Sequence, residues 1–259
     1  MNTFLWIVLF CFLVALLSVL AAALFLYLPE RQRNHLLPHL ISFATGTLLG
    51  AAFLALLPHA LEATPRVDSH VITLTVLLGV LGFFLLEKIM LWHHCHVDEC
   101  EIHHHVDAHN KTAGPLILIG DAMHNLIHGF LIAAAFLVDI HLGVVTSFAV
   151  MAHQVPQELS NFAVLLQSGF PRRQAFISNM MTSLTAVLGG ITGYYGLHDV
   201  AWLMPYLLAV AVASCIYIAV ADLIPGLHQR PQLQATFQQV ILIAAGVLII
   251  YSTHTYLHE

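Results

Sequence analysis

Residues 114–138 read Gly114-Pro-Leu-Ile-Leu-Ile-Gly-Asp121-Ala-Met-His124-Asn125-Leu-Ile-His128-Gly129-Phe-Leu-Ile-Ala-Ala-Ala-Phe-Leu-Val138. A run of about 20 predominantly apolar residues is what a membrane-spanning helix requires. This one nevertheless carries an acid, two imidazoles and an amide, groups that hydrocarbon accepts only at high cost and that mark functional sites when they occur there. On a helix His124 and His128 lie one turn apart, with Asn125 beside them and Asp121 three residues earlier on the same face. A second apolar stretch, 141–168, carries His153-Gln154-Val-Pro156-Gln157-Glu158 and then Asn161. There His153, Gln157 and Asn161 form an i, i+4, i+8 stripe, and Gln154 and Glu158 form an adjacent one. Pro156 lacks an amide hydrogen and clashes with the carbonyl of Ala152, so a bend and a freed carbonyl are expected. Irregular backbone at membrane depth is tolerated where it meets protein or lines a wet cavity.

The composition agrees with a membrane protein. Of 259 residues, 59% are hydrophobic and only 8% charged, and the mean hydropathy is +0.85. Soluble domains carry about 25% charged residues. The net charge of −6 gives no nucleic-acid footprint. Histidines number 19, against 8 Lys and Arg together. Four cysteines form no disulfide framework; Cys11 and Cys215 lie in apolar runs and read as small buried hydrophobes.

Working outward, eight spans are expected, at about 3–28, 35–62, 70–92, 114–138, 141–168, 172–196, 200–225 and 232–257. The first lacks a basic leader and a cleavage site and reads as a true span. The fold class is therefore an all-α polytopic membrane protein, since helices satisfy their own backbone in lipid. Alternate loops hold Arg31 and Arg33, Lys88 and Lys111, Arg172 and Arg173, and Arg230, while the opposite side holds only Arg66. Seven of eight cations on one side make that side cytoplasmic and put both termini outside. Gly46 and Gly50 form a GxxxG, and Gly189, Gly190, Gly193 and Gly196 cluster in the sixth span, so close helix approach is expected at both places.

The loop between spans four and five, Asp139-Ile-His141, is short enough to make them antiparallel neighbours. His124 and His128 lie about 10–14 residues before it, His153 and Gln157 about 12–16 after it, so at about 1.5 Å per residue their levels coincide. Three imidazoles and the Gln157 amide oxygen can converge. Imidazole suits Zn, Cu, Fe and Ni. Any one of these residues could instead be interhelical glue, at about 1 kcal/mol each.

With these motifs in place, the sequence resembles the ZIP (Zrt/Irt-like) family of metal-ion transporters along nearly its whole length. Ser42 to Glu62, through Gly46, Gly50, Pro58 and His59, looks like that family's second helix. Leu85-Leu-Glu87-Lys88 running into His93-His94-Cys95-His96 looks like the end of its third. His124-Asn125-x-x-His128-Gly129 sits where the family carries HNxxDG or HNxxEG, and His153-Gln154-x-Pro156-Gln157-Glu158 where it carries HExPHE or HExPQE. The resemblance implies a single transmembrane transporter domain of eight helices, a ZIP-like bundle, importing metal toward the cytoplasm. It implies principal ligands His124, His128, His153 and Gln157, and a neighbouring second site using Asn125 and Gln154 with the His128 and Gln157 positions. It offers Asn179 and Ser183 of the sixth helix as further ligands. It also implies a homodimer and an elevator-like motion of helices one, four, five and six.

Two positions depart from the family pattern. His128 stands for the usual acid and Gln154 for the usual glutamate, both removing negative charge. Glu158 is the nearest remaining carboxylate by sequence and joins the candidate metal residues, with Asp121 about one turn outside the motif. The expectation is one metal in an imidazole-rich site, the second site being lost or weak. Imidazoles exchange metal for protons, with an unperturbed pKa of about 6.5, so binding should weaken on acidification.

The polar stretch 93–112 holds His93, His94, Cys95, His96, Cys100, His103, His104 and His105, donors for soft or borderline metals. Their spacing matches no closed zinc finger, so a cytoplasmic metal-collecting loop is expected. The functional expectation is a zinc importer of the bacterial inner (plasma) membrane, with Fe²⁺, Mn²⁺, Co²⁺ or Cd²⁺ as alternative cargo and no organic cofactor. Its partners are the metal ions, the lipid bilayer and a second copy of itself. The competing classes are a non-transporting metal sensor or scaffold of the same fold and an intramembrane metalloenzyme, although the HExxH signature of zinc proteases is absent.

Overall fold

The computed structural model describes residues 2–62, 68–95, 106–197, 201–228 and 233–258, and all regular structure within them is helical. The elements are α1 (Thr3–Leu26), α2 (Glu30–Gly50), α3 (Leu57–Glu62), α4 (Ser69–Cys95), α5 (Val106–Val138), α6 (Ile140–Gln167), α7 (Arg172–Ser183), α8 (Thr185–Leu197), α9 (Met204–Tyr217), α10 (Ile224–His228) and α11 (Leu233–His258). A π turn, Ala51–Leu56, joins α2 to α3, and another, Ile218–Leu223, joins α9 to α10. Eight helical passes result, because α2–α3, α7–α8 and α9–α10 each act as one. Seven segments of the described residues are long and apolar enough to cross a membrane. The remaining pass, α6, has 28 residues and hence the length, but its polar stripe dilutes its apolarity.

One boundary differs from the sequence expectation. Residues 93–112 were expected to be a polar connector, yet α4 runs to Cys95 and α5 begins at Val106. Extending both helices satisfies backbone groups that a loop would leave to water. His96, Cys100, His103, His104 and His105 lie outside the described residues.

The two π turns share a cause. Pro58 and Pro225 each fall seven residues after the first residue of the turn. A proline ring clashes with the carbonyl four residues earlier, here Leu54 and Ala221, both inside the wide turn. Widening the helix there relieves the clash without breaking the span.

The passes pack as two groups. In one, α5 lies against α6 and α8, and α1 against α6 and α8. In the other, α2 lies along α11 and α4 along α9. Each group uses glycine for backbone contact. A Cβ on Gly129 would sit 1.8 Å from the Ala186 carbonyl oxygen, and one on Gly189 would sit 2.0 Å from that of Leu126. Across α2 and α11, a Cβ on Gly46 would sit 2.1 Å from the Ile243 carbonyl oxygen. Both expected glycine contacts are therefore present. The groups meet along a buried surface rich in alanine, with Leu131, Ala135, Leu142, Val145 and Ala149 facing Leu48, Ala51, Ala52, Leu208 and Val212.

Candidate metal centre

The α5–α6 hairpin sets the site's register. Asp139 alone separates the helices and caps α6, its carboxylate accepting from the amides of His141 at 2.8 Å and Leu142 at 3.0 Å. Antiparallel pairing away from that turn brings residues with numbers summing to about 280 face to face. His128 meets His153, Asn125 meets Gln154, and Asp121 meets Asn161.

His153 Nδ1 lies 3.1 Å from the Ala149 carbonyl oxygen. A carbonyl only accepts, so Nδ1 carries the hydrogen and Nε2 presents its lone pair; metal-binding imidazoles are commonly oriented in this way. That Nε2 lies 3.2 Å from His128 Nε2, which lies 2.8 Å from His124 Nε2. One nitrogen from each ring thus falls within 4.8 Å of the others. Zinc bonds imidazole nitrogen at about 2.0–2.1 Å, which puts tetrahedral ligand atoms about 3.3 Å apart. The His128–His153 separation matches that edge, and the His124–His128 one is shorter by a few tenths of an ångström. His128 and His153 are buried, while His124 is half-buried and opens the cluster to one side.

The other candidate residues divide. Gln157, one turn after His153, is half-buried and makes no side-chain hydrogen bond among the described residues. Asn125 donates to the Asp121 carbonyl oxygen at 2.9 Å and to its carboxylate at 3.1 Å. Gln154 donates to Asn125 Oδ1. The two amides expected to reach a second metal therefore bond to each other. Glu158 Oε1 accepts from the Ser183 hydroxyl at 2.5 Å, and Oε2 is buried without a partner among the described residues. His93, His94 and Cys95 end α4, and their side chains lie outside the described residues.

A layer of oxygen-bearing side chains underlies the imidazoles, on the side where Lys111 and Arg172 lie. The Asp121 carboxylate accepts from Asn161 Nδ2 at 2.8 Å and from the Thr182 hydroxyl. Asn179 and Gln154 flank the Glu158 carboxylate. Among the described residues, Gln154 Oε1 and both amide atoms of Asn179 are buried without a hydrogen-bond partner. The α7–α8 break at Leu184 lies beside this layer. The Thr182 and Ser183 hydroxyl oxygens also lie 2.9 Å from the Asn179 carbonyl oxygen, which competes for the same hydrogens, and Thr185 donates to the Ala122 carbonyl at 2.7 Å. Thr182 was not among the residues singled out from sequence. The signal available was the polar spacing Asn179, Thr182, Ser183 in an otherwise apolar span.

The family described as ZIP Zinc transporter matches residues 3–115 and 93–253. The chain belongs to the ZIP family. The zinc transporter ZIP13 of Pongo abelii is 31% identical over 230 residues, covering 83% of this ZIP chain and 66% of the relative. ZIP13 of Mus musculus is 29% identical over 252 residues, covering 83% of this chain and 69% of its own. The zinc transporter ZIP10 of Danio rerio is 36% identical over 123 residues, which are 46% of this chain and 14% of that protein. This ZIP chain thus spans about two thirds of the length of the ZIP13 relatives.

Proposed function

We propose that this ZIP chain carries a divalent transition metal, zinc in the first place, across the membrane toward the cytoplasm. The metal's station is His124, His128 and His153 between α5 and α6, with Gln157 completing the set as it binds. One observation carries this reading: imidazole nitrogens from two antiparallel helices converge within 4.8 Å inside the bundle. No covalent step is needed, so the function is transport and not catalysis. The reading also draws on the names of the ZIP13 relatives, which are zinc transporters.

All principal donors are neutral, and a dication in low dielectric needs compensating charge. Asp121 and Glu158, both buried, supply it from the adjacent layer. The metal then moves from the imidazoles past that layer toward the side bearing Arg172 and Lys111. The Asn125–Gln154 hydrogen bond occupies the place of a second metal, so one ion binds per chain. The group containing α1, α5, α6, α7 and α8 slides as a body on the alanine-rich surface of the other group, alternating access to the site. Both termini face outward, the chain assembles as a homodimer, and the His-rich segment between α4 and α5 collects released metal on the cytoplasmic side.

Zinc titration of the purified chain against a competing chelator tests the site. Wild type binds one equivalent. His128→Ala and His153→Ala each weaken binding by more than the 10–100-fold that loss of a mere orienting partner costs. Unchanged affinity in both variants contradicts the assignment.

A further inference from the structure

A cavity of about 500 Å³ lies away from the metal centre, where the end of α1 meets the end of α6 and the start of α7. Its walls are apolar: Ala23, Phe162, Leu166 and Phe176. Its mouth is not. Tyr27, Arg172 and Arg173 line it, and all three are exposed. Neither guanidinium enters an ion pair or hydrogen bond among the described residues. The two arginines also open the 12-residue α7, whose N-cap, Pro171, supplies no side-chain acceptor to the first amides. The positive end of the α7 dipole therefore lies at the same end of the helix as the two guanidiniums.

The depth of the cavity identifies its occupant. The segment Arg172–Leu197 is long and apolar enough to cross the membrane, and Arg172 is its first residue; Tyr27 lies three residues beyond the end of another, Thr3–Leu24. Arginine and tyrosine at such ends sit at headgroup level. A basic mouth at that level, opening onto an apolar and aromatic wall below it, complements one class of molecule: an amphiphile with an anionic head and hydrocarbon tail. Basic pockets between membrane helices on the cytoplasmic side hold anionic headgroups in this way. Free phosphate would leave the apolar wall uncovered, and a zwitterionic lipid would bring a second positive charge up to the two guanidiniums.

We propose that this cavity binds one anionic phospholipid of the adjoining leaflet, headgroup on Arg172 and Arg173 and one acyl chain against Phe162, Leu166 and Phe176. The lipid joins α1 to the α6–α7 hairpin. Phe162 is one turn beyond Glu158, and α7 carries Thr182 and Ser183, so the lipid braces the elements that hold the oxygen layer.

The test uses the full chain in nanodiscs of phosphatidylcholine, with and without phosphatidylglycerol, and follows thermal unfolding and lipid retained in native mass spectrometry. Phosphatidylglycerol is expected to raise the unfolding midpoint and leave one retained lipid per chain. The double variant Arg172→Gln, Arg173→Gln, altered only at exposed positions, should unfold like wild type in phosphatidylcholine and lose most of both effects. Equal stabilisation of wild type and variant by phosphatidylglycerol overturns the proposal. So does equal stabilisation of wild type by phosphatidylcholine alone. Inorganic phosphate matching the lipid's effect on wild type also overturns it, since the site would then be a phosphate site.

Discussion

Gln154 is the residue on which the number of bound metals turns. Its amide nitrogen donates to Asn125, and its Oε1 is buried without a partner among the described residues. Gln154→Glu removes the donor, breaks the amide pair and adds a carboxylate where the family pattern carries one. Equilibrium zinc titration should then rise from one to two equivalents per chain. A stoichiometry that stays at one shows that Gln154 is not what closes the second position. At this scale the imidazole cluster was readable in the sequence. The i, i+4 pair on α5, a short turn at Asp139 and the stripe on α6 together fix which side chains meet. The partners that α7 supplies to Asp121 and Glu158 were not readable in the same way, Ser183 coming only from the family resemblance and Thr182 not at all. Thr182 and Ser183 reach them only because α7 ends at the right height and angle, and that follows from packing, not from spacing along the chain.

Helix contacts control how well the site is held. Gly129 follows His128 directly and faces the backbone of α8 at Ala186 and Gly190. No side chain fits there, because a Cβ meets carbonyl and amide atoms that cannot rotate away. Gly129→Ala therefore pushes α5 from α8 and should cost about 1–3 kcal/mol, the usual range for overpacking a tight contact. A lowered thermal midpoint together with weakened zinc affinity is the expected result, since His128 moves with the backbone. By contrast Gly196→Ala, where a Cβ meets open space, should leave both unchanged. An equal loss in the two variants would show that this contact is not the cause, since helix propensity alone favours Ala over Gly. The glycine contacts were foreshadowed by the Gly46–Gly50 spacing and the glycine cluster of the sixth span. The π turns were not, for Pro58 marks a local disturbance without saying whether the helix kinks, breaks or widens. Similarly, apolarity ended the third span near residue 92 although the helix continues to Cys95, because a helix already nucleated extends into polar sequence at little cost.

Taken as a whole, the molecule pairs a neutral donor set with buried acids and no buried Lys or Arg among the described residues. Protons and zinc therefore compete for the same imidazoles. The metal needs the neutral ring, so affinity is full on the alkaline side and falls as pH decreases. Zinc binding measured across the acid-to-neutral range should weaken monotonically on acidification and release protons on metal addition. Affinity independent of pH would remove imidazole from the ligand set. The bundle itself was legible from hydropathy and from seven of eight cations lying on alternate loops. Its division into two packed groups was offered only by the family resemblance, since hydropathy alone does not mark which neighbour an apolar helix chooses.

The central claim is that metal crosses this chain through His124, His128 and His153. Zinc flux into proteoliposomes tests it most directly, comparing wild type with His124→Ala and His153→Ala at matched protein incorporation. The account predicts saturable zinc entry with wild type and near-background entry with either variant. Wild-type entry retained by both variants would contradict it, and so would a wild-type chain that binds zinc through these histidines yet passes none.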